Sequence, residues 1–598
     1  MKARCSEKPD LVIRNVQVFN TAFRGFYPAD VYLLNGRFYY VDIKKEHLIE
    51  ASETVEGHDR YMIPGLIDIH MHIESSMMTP AVMARRLAEC GVTTIVAEPH
   101  EMANVNGIRG IQDMIGNGKE APIDIFYGIP SCVPATRPDL ETTGGIIDAA
   151  SMTELIKDPA VVCVGEVMNY REIIKDNDLE ISRFLNELSE KDPRYTVEGH
   201  CPALKDEELA KFIYLGIDSD HTEHDIEELK QRFFQGMYVE LQEKMLKREV
   251  IDFIDKHSLY DHFGFVTDDV MADTLMEKGH LDHVIRLAIG LGMSPEQAIY
   301  HATCTNARRM KLTDRGQISP GKLADFSLLT DLRGVVIDAT YKNGRCIYRR
   351  DEKTASIQGS QLSEKCDTFS KDYFYSVKVP PVKPDRFVLK TDHSDTSQVL
   401  AEVMEVSDGS TKTTRSLVWL PVEEGIVRWQ HSGCLLTAVF ERYGKSGRVG
   451  YGLVSGDFMK EGAVATTYAH DHHNLVVVGS NEEDMALAAN SVISAQGGIC
   501  VTKDGVIKAF LPLPIGGILS DLDADEVGKK LKEVRDALIA QGYRHYNPIM
   551  SLCTLSLLAS PAIKISDFGL IDVTAGEPVP LIREELRLIE SKSIRYIR

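Results

Sequence analysis

The stretch GLIDIHMHIESS, residues 65–76, places a polar side chain at every second position of an otherwise apolar segment. Its polar members from 68 to 74 are Asp68, His70, His72 and Glu74. Side chains two positions apart on a β-strand share one face, so both imidazoles would point the same way. A single histidine in a strand is more often a hydrogen-bonded core or surface residue than a ligand, but a pair on one face indicates a metal site.

Length and charge limit the classes of protein to consider. A chain of 598 residues is too long for one hydrophobic core and predicts several domains. With 67 basic and 89 acidic residues, its net charge of −22 disfavours nucleic acid or an anionic membrane as the main partner. A small neutral or cationic substrate fits this charge better.

Cysteine usage and hydropathy predict the compartment. The eleven cysteines include no Cys-x-x-Cys pair, which disfavours a disulfide framework or a zinc ribbon. The first twenty residues lack the apolar core of a signal peptide, and no apolar run reaches the roughly 18 to 20 residues that span a bilayer. We therefore expect a soluble, cytoplasmic protein with reduced thiols and no membrane partner.

From residue 66 onward, short apolar runs alternate with longer helix-like segments. Eight such runs begin at residues 66, 92, 123, 160, 194, 216, 237 and 263. Eight β-α units predict a TIM (β/α)8 barrel, placed over residues 64–305.

The flanks of this region have a different pattern. Alternating segments in 1–63 and 306–350 predict a small composite β-sandwich-like domain that both flanks build together. The polar residues 351–372 are predicted to be a linker. Residues 373–598 combine alternating strands with two helical segments, EEDMALAANSVISAQ and ADEVGKKLKEVRDALIAQ, and predict an α+β domain. The predicted fold class is therefore α/β, a metal-dependent (β/α)8 barrel with a composite β-domain and a C-terminal α+β domain.

Chemically active side chains stand at the predicted carboxyl ends of the strands. That rim is where TIM barrels build their active sites. Four imidazoles and two carboxylates can hold two divalent cations if one carboxylate, for which Glu166 is the natural candidate, bridges them. Mixed nitrogen and oxygen ligation suits zinc, iron or manganese without choosing among them. The strand-end residues are His70, His72, His100, Glu101, Glu166, His200, His221, Asp268 and Asp269.

Such a centre predicts hydrolysis. Two cations that share a water molecule lower its pKa toward neutrality. Asp268, beside that water, would accept a proton and hand it to the leaving group. The expected reaction is hydrolysis at an electrophilic carbon.

Two motifs, PGLIDIHMH from residue 64 and GQISPGKLADFSLL after the predicted barrel, resemble the amidohydrolase superfamily. Within it, adenine deaminases are the closer match. That resemblance rests on HMHIESSMMTP at 70, PHEMANVNG at 99, VGEVMNY at 164, EGHCPAL at 198 and TDD at 267. It extends to GLVSGDFMKEGAVATTYAHDHHNLVVVGSNEEDMALAAN from 452 and LPLPIGGILSD from 511, and so covers nearly the whole chain.

The resemblance implies hydrolysis of adenine to hypoxanthine and ammonia in purine salvage, by a homodimer or larger homo-oligomer. Glu166 stands where related enzymes often carry a carboxylated lysine. The implied ligands of two divalent ions are His70, His72, Glu166, His200, His221 and Asp268. Proton transfer is implied for Asp268, Glu101, His100 and Glu74, and substrate binding for Ser75, Glu98 and Asp269.

Two departures from the family pattern bear on the substrate. Glu98 stands where adenine deaminases carry an aspartate before Pro-His-Glu, and residues 242–245 replace a stretch like Arg-Glu-Gly-Ser after the seventh strand. The changed loop motivates an alternative, an amidohydrolase acting on another 6-substituted purine or a cyclic amide. A catalytically silent binding protein is a third hypothesis, disfavoured because the whole ligand set is present.

The segment AHDHHN, with His470 to Asn474, allows two interpretations. It is either a structural turn within the C-terminal domain or part of a lid over the barrel mouth.

Overall fold

The computed structural model describes residues 8–45, 49–175, 179–191, 195–350, 369–391, 396–455, 458–583 and 595–596. The predicted linker lies outside these ranges from 351 to 368. Its last four residues, 369–372, are described and contact the rest of the protein. The carboxylate of Asp372 accepts a hydrogen bond of 2.6 Å from Arg109 Nη1.

The strands up to residue 350 fall into a mixed sheet and two parallel sheets. The first five strands are β1 Leu11–Asn20, β2 Gly25–Leu34, β3 Arg37–Asp42, β4 Glu53–Glu56 and β5 Tyr61–Pro64. The parallel strands are β6 Leu66–Met71, β7 Val92–Ala97, β8 Asp124–Ile129, β9 Val161–Val167, β10 Thr196–Gly199, β11 Ser219–Asp220, β12 Tyr238–Leu241 and β13 Phe263–Phe265. They are followed by β14 Phe326–Asp331, β15 Val336–Lys342 and β16 Arg345–Arg349.

Both flanks of the parallel region build the mixed sheet. Its order is β16-β15-β14-β5-β1-β2-β3, with β4 paired to β1. Strand β14 runs antiparallel to β5, with Ser327 opposite Ile63, so the chain after the parallel strands returns to the strand that precedes them. The two ends of the predicted (β/α) region are thereby held next to each other.

The eight predicted runs each contain one parallel strand. The order β10-β9-β8-β7-β6 forms one sheet, and β11-β12-β13 forms the other. Every residue of β6 and β7 is buried, as expected for parallel strands that are covered on both faces. The first strand also meets the chain that follows the eighth, because Asp268 N donates to His70 O at 3.1 Å. Asn306 Nδ2 adds bonds to Ile67 O at 2.7 Å and Phe265 O at 2.8 Å.

Helices separate the parallel strands and continue beyond them. They are α1 Pro80–Glu89, α2 His100–Gly118, α3 Ala149–Leu155, α4 Tyr170–Ile173, α5 Glu180–Lys191, α6 Asp206–Tyr214, α7 Ile226–Phe234, α8 Arg248–His257, α9 Ala272–Lys278, α10 Leu281–Gly290, α11 Pro295–His301 and α12 Cys304–Arg309. None of the helices in the described ranges has the length and apolar character needed to span a bilayer.

Within the described ranges, the C-terminal part combines an 11-stranded mixed sheet, a separate three-stranded sheet and three α-helices. Its strands are β17 Gln398–Val406, β18 Thr413–Glu423, β19 Ile426–Val427, β20 Leu435–Phe440, β21 Val449–Val454, β22 Ala463–Thr466, β23 Leu475–Gly479, β24 Gly498–Lys503, β25 Val506–Pro512, β26 Ile563–Ser566, β27 Gly569–Asp572, β28 Glu577–Val579, β29 Ile582–Arg583 and β30 Arg595–Tyr596. The helices are α13 Glu482–Ser494, α14 Ala524–Ala540 and α15 Pro548–Cys553. The first two coincide with the two helices predicted from the sequence.

The hydrophobic core is continuous between the parallel strands and the C-terminal part. One cluster of buried side chains includes Ile95 of β7, Met102 of α2 and Tyr468 of the segment between β22 and β23. Polar contacts supplement this packing, including an ion pair between Arg535 of α14 and Asp273 of α9. The loop from β22 to β23 therefore lies directly against the carboxyl ends of the parallel strands.

Candidate active site

The end of β6 brings two imidazoles to one carboxylate. His72 Nδ1 lies 2.9 Å from Glu98 O. Because a carbonyl oxygen only accepts, Nδ1 carries a proton, and Nε2 is the ring nitrogen that faces the neighbouring carboxylates. That Nε2 lies 3.4 Å from Asp268 Oδ1, and His70 Nε2 lies 3.9 Å from the same oxygen. The buried Nε2 of His70 has no hydrogen-bond partner among the described residues.

Glu166 of β9 faces two sets of imidazoles with its two oxygens. Its Oε2 lies 2.7 Å from His200 Nδ1 and 3.2 Å from His221 Nε2. Its Oε1 lies 3.6 Å from His72 Nε2 and 3.8 Å from His100 Nδ1. A carboxylate in this position can bind one cation with each oxygen.

Gly165 allows the crowding beside Glu166. A Cβ at Gly165 would lie 2.4 Å from Glu98 Cγ, so only glycine leaves room for both carboxylates. Glu98 in turn accepts a 2.5 Å hydrogen bond from His100 Nδ1. The residue that departs from the family's usual aspartate thus contacts the imidazole at the start of α2.

The donor set fits divalent cations. Nitrogen and carboxylate oxygen atoms of His70, Glu166 and His221 lie within 4.8 Å of one another, and those of His70, His72 and Asp268 do so too. Burial and the neighbouring charge of His221 lower the pKa of His70 to about 3, which leaves its imidazole neutral and able to ligate. The unpartnered nitrogen of His70 gives a cation a direct reason to bind there.

Ser75 and Asp269 form a second layer beside these ligands. The Ser75 hydroxyl donates a short hydrogen bond to Asp269 Oδ1. Tyr468 Oη, from the C-terminal part, donates to Ser75 Oγ at 3.2 Å. The two adjacent aspartates therefore differ in role, since Asp268 faces the imidazoles and Asp269 faces the serine.

The segment between β22 and β23 reaches Glu101 at the start of α2. His470 Nδ1 and His473 Nε2 each make a short contact with one oxygen of the Glu101 carboxylate. Burial raises the pKa of Glu101, but the two imidazoles lower it well below its usual range. Glu101 is therefore an ionised carboxylate held between two histidines of the C-terminal part.

His472 and Asn474 serve the structure of the segment itself. His472 Nδ1 accepts a hydrogen bond of 3.0 Å from Asn474 N, and Asn474 Oδ1 accepts one of 3.1 Å from Arg442 N. The two interpretations of AHDHHN thus each hold for part of it, because His470 and His473 face the site while His472 and Asn474 hold the turn.

Glu74 is a buried carboxyl group of a different kind. Its Oε1 accepts a hydrogen bond of 3.2 Å from Met102 N, and its Oε2 has no partner among the described residues. Burial, with the charge of Glu101, raises the pKa of Glu74 to about 7. Near neutral pH this group can donate a proton as well as accept one.

Comparison with known proteins identifies the family. Residues 61–347 match the amidohydrolase family, and residues 410–577 match the adenine deaminase C-terminal domain. A protein named adenine deaminase from Clostridium perfringens (strain 13 / Type A) is 44% identical over 580 residues, which cover 96% of this chain and 99% of that protein. The chain belongs to the adenine deaminase family.

Other members of the adenine deaminase family match over the same length. Adenine deaminase 2 of Shouchella clausii (strain KSM-K16) is 45% identical over 577 residues, 96% of this chain and 99% of that protein.

Among solved structures, one described as an adenine deaminase aligns at 15% identity with a TM-score of 0.43, over 57% of this chain and all of that one.

One departure from the adenine deaminase pattern lies in the site. Gln242, at the end of β12, donates through Nε2 to Asp268 Oδ2 at 3.0 Å and to His221 O at 2.8 Å. The changed loop after the seventh strand therefore contacts both a candidate ligand and the backbone of another. Sequence reasoning noted the substitution but did not include Gln242 among the site residues.

The C-terminal residues of this site were also missing from the predicted set. Tyr468, His470, Asp471 and His473 are all buried against the strand ends. The dense AHDHHN segment carried a signal, since five polar residues in a row between two apolar strands are unusual. Its position over Glu101 depends on tertiary packing and could not be read from spacing.

Proposed function

We propose that this chain hydrolyses adenine to hypoxanthine and ammonia, a reaction of purine salvage. The observation that carries this proposal is the 44–45% sequence identity to proteins named adenine deaminase over 96% of this chain. The matched length includes both the parallel-strand region and the C-terminal segment that contacts it. A cluster of imidazoles and carboxylates at the strand ends suits hydrolysis of a C–N bond.

We further propose that the site holds two divalent cations, of manganese, iron or zinc. His70, His72 and Asp268 would bind one, and His200 and His221 would bind the other, with Glu166 between them. The separation of the Glu166 oxygens toward different imidazoles supports this division. Divalent ions supply Lewis acidity, which lowers the pKa of water toward neutrality.

The reaction needs water to supply one oxygen and two protons. The water oxygen bonds to C6 of adenine, one proton goes to N1, and the other goes to the amine as the C6–N bond breaks and ammonia leaves. Asp268, held by Gln242 and beside His72, accepts a proton from water and passes it to the amine. Glu74, whose pKa is raised to about 7, donates to N1, which keeps negative charge off the ring, and regains a proton when the hydroxyl on C6 gives up the second proton of the water.

Other residues of the site orient the purine. Ser75 and Asp269 form a polar pair beside Asp268, and Glu98 fixes His100 through its short bond. Glu101 stays ionised between His470 and His473 and assists proton movement at the same edge. Their closed, buried arrangement limits access of bulk water.

We also propose that the eight parallel strands close into a (β/α)8 barrel over residues 64–305. The bonds between Asp268 and His70, and those from Asn306 to strands β6 and β13, support this closure. The composite domain of 1–63 with 306–350 is supported by the pairing of β14 with β5. We also assign residues 373–598 to a C-terminal domain, which the family match over residues 410–577 supports. We expect a cytoplasmic enzyme that works as a homodimer or larger homo-oligomer.

The contact of Gln242 with Asp268 supports a second candidate class of substrate. Gln242 occupies the loop that differs from the family pattern and touches Asp268 directly. A changed neighbour at the proton-transfer residue favours testing other 6-substituted purines and cyclic amides beside adenine.

A substrate panel tests the proposal. Protein loaded in turn with manganese, iron and zinc would be assayed with adenine, 6-substituted purines, adenosine, guanine and cyclic amides. We expect adenine to give the highest kcat/KM, read from ammonia release and from the ultraviolet change to hypoxanthine. Turnover of another compound with adenine inert would overturn the assignment of the substrate.

A further inference from the structure

Two adjacent residues of the C-terminal segment, His470 and Asp471, each bury an unpartnered polar atom beside Glu101. Within the described residues, His470 Nε2 and Asp471 Oδ2 have no hydrogen bond. Both side chains are nearly inaccessible to solvent, at 6% for His470 and 3% for Asp471. Buried polar groups in native proteins are almost always paired, so two adjacent orphans in one site point to a bound group that the chain itself does not supply.

Both residues border the proposed reaction centre. Side-chain donor atoms of His100, Glu101, His470 and Asp471 lie within 4.8 Å of one another. His100 Nδ1 is itself 3.8 Å from Glu166 Oε1. A molecule that reacts at the Glu166 centre would therefore reach the pair with the atoms next to its reacting carbon.

The donor and acceptor roles of the pair follow from their neighbours. His470 Nδ1 contacts the Glu101 carboxylate, which only accepts, so Nδ1 carries a proton. Asp471 is a second carboxylate near the His470 imidazole, with its Oδ1 3.7 Å from His470 Nδ1. Two carboxylates stabilise a doubly protonated imidazole, whose free Nε2–H then donates, whereas the free Oδ2 of Asp471 accepts.

We propose that Asp471 and His470 recognise the amino-bearing edge of the purine. Asp471 Oδ2 accepts a hydrogen bond from the amine on C6, and His470 Nε2 donates to a ring nitrogen that flanks it. A donor beside an acceptor matches an edge on which a ring nitrogen and an N–H group stand next to each other. This assignment rests on the proposed adenine deaminase function and names the residues that select an amino leaving group.

The test compares two purines that differ at C6. Adenine presents N–H groups there, whereas 6-chloropurine presents none and yields the same hypoxanthine product. Asp471→Asn keeps the size of the side chain and removes its charge. We expect Asp471→Asn to lower kcat/KM about 10- to 100-fold for adenine and less than about threefold for 6-chloropurine, with the metal content of the wild type.

A second variant tests the histidine. His470→Asn lets an amide donate to Glu101 in place of Nδ1 and removes Nε2. Because both purines keep their ring nitrogens, we expect similar losses, about tenfold, for adenine and 6-chloropurine. His472→Asn is the matched control, since His472 is equally buried in the same segment and also has an unpartnered Nε2, but its Nδ1 bonds to Asn474 and it lies outside the group of His100, Glu101, His470 and Asp471. It should leave both rates within about twofold of the wild type.

Each other outcome has a distinct meaning. Equal losses on both purines in Asp471→Asn would overturn the recognition role and leave a structural one. Loss of bound metal in the same variant would overturn it in favour of a third cation site. If Asp471→Asn fails to fold, equal rates for wild type and His470→Asn overturn the proposal. Wild-type protein inert toward both purines would show, before any variant is made, that the proposed function itself fails.

Discussion

The strand-end residues and the segment of residues 468–473 supply the same site in different ways. The first group comes from positions spread over about two hundred residues, each at the end of a parallel strand. The second group comes from one loop between β22 and β23, in which neighbouring residues face opposite directions. Donor atoms of the strand ends lie close enough to one another to share a metal ion, and His470 and Asp471 of the loop lie equally close to His100 and Glu101. Under the proposed function, the strand ends would supply the metal ligands, and the C-terminal part would complete the surroundings of the substrate.

The largest expected effect concerns the strand ends. His70→Ala removes the buried, unpartnered nitrogen from the candidate ligand set. We expect kcat/KM for adenine to fall by at least about 10³-fold, because a cation contributes several kcal/mol to the transition state. Metal analysis should show fewer bound ions per chain. The control is His262→Ala, at an exposed position, which should keep the wild-type activity and metal content. Full metal content in His70→Ala would contradict the ligand assignment.

A smaller loss is expected where the two groups meet. Glu101→Gln removes the negative charge that His470 and His473 share. We expect kcat/KM to fall about 10²- to 10³-fold, within the range of general acid–base groups, while the bound metal stays at the wild-type level. Glu483→Gln, an exposed change on α13, should have no effect. A loss below about threefold in Glu101→Gln would indicate that the contacts of His470 and His473 with Glu101 serve packing and not catalysis.

The attachment of the C-terminal part can be weakened at one ion pair. Arg535 Nε and Nη2 bond to the two oxygens of Asp273 at 2.5 and 3.1 Å, and both side chains are largely buried. We expect Asp273→Asn to lower the free energy of unfolding by about 1.5 to 3 kcal/mol, as for other hydrogen bonds to charged groups. Thermal unfolding measures this. Asp536→Asn, in an exposed pair with Lys532, should change it by less than about 0.5 kcal/mol.

The smallest effect is a pH dependence near the loop. Burial, with the charges of Asp471 and Asp567, raises the pKa of Glu141 to about 8. The unfolded chain, with an ordinary glutamate pKa, releases this proton first, so Glu141 lowers stability as the pH rises from about 4.5 to 8. From pH 5.5 to 8.5 the stability of Glu141→Gln relative to wild type should rise by about 1 to 3 kcal/mol. The control is Glu120→Gln, at an exposed position, whose stability relative to wild type should not change with pH. An equally constant stability difference for Glu141→Gln would contradict this prediction.

The sequence predicted the strand-end group because parallel strands obey a simple rule. Their carboxyl ends meet, so His70, His200 and Asp268 could be placed together without any coordinates. Tyr468 and Asp471 follow no such rule. Their place over the strand ends depends on the continuous core between two parts of the chain, which local patterns do not encode. Gln242 was visible as a substitution, but its bond to Asp268 depends on how the loop after β12 folds back.

Adenine turnover with and without Glu166 tests the central claim most directly. Wild-type protein and Glu166→Gln would each be supplied with manganese, assayed for bound metal, and followed by ammonia release from adenine. We predict turnover by the wild type with about two ions per chain, and a rate at least about 10³-fold lower with fewer ions in Glu166→Gln. Equal rates and equal metal content in the two proteins would contradict a bridging carboxylate and the site built around it.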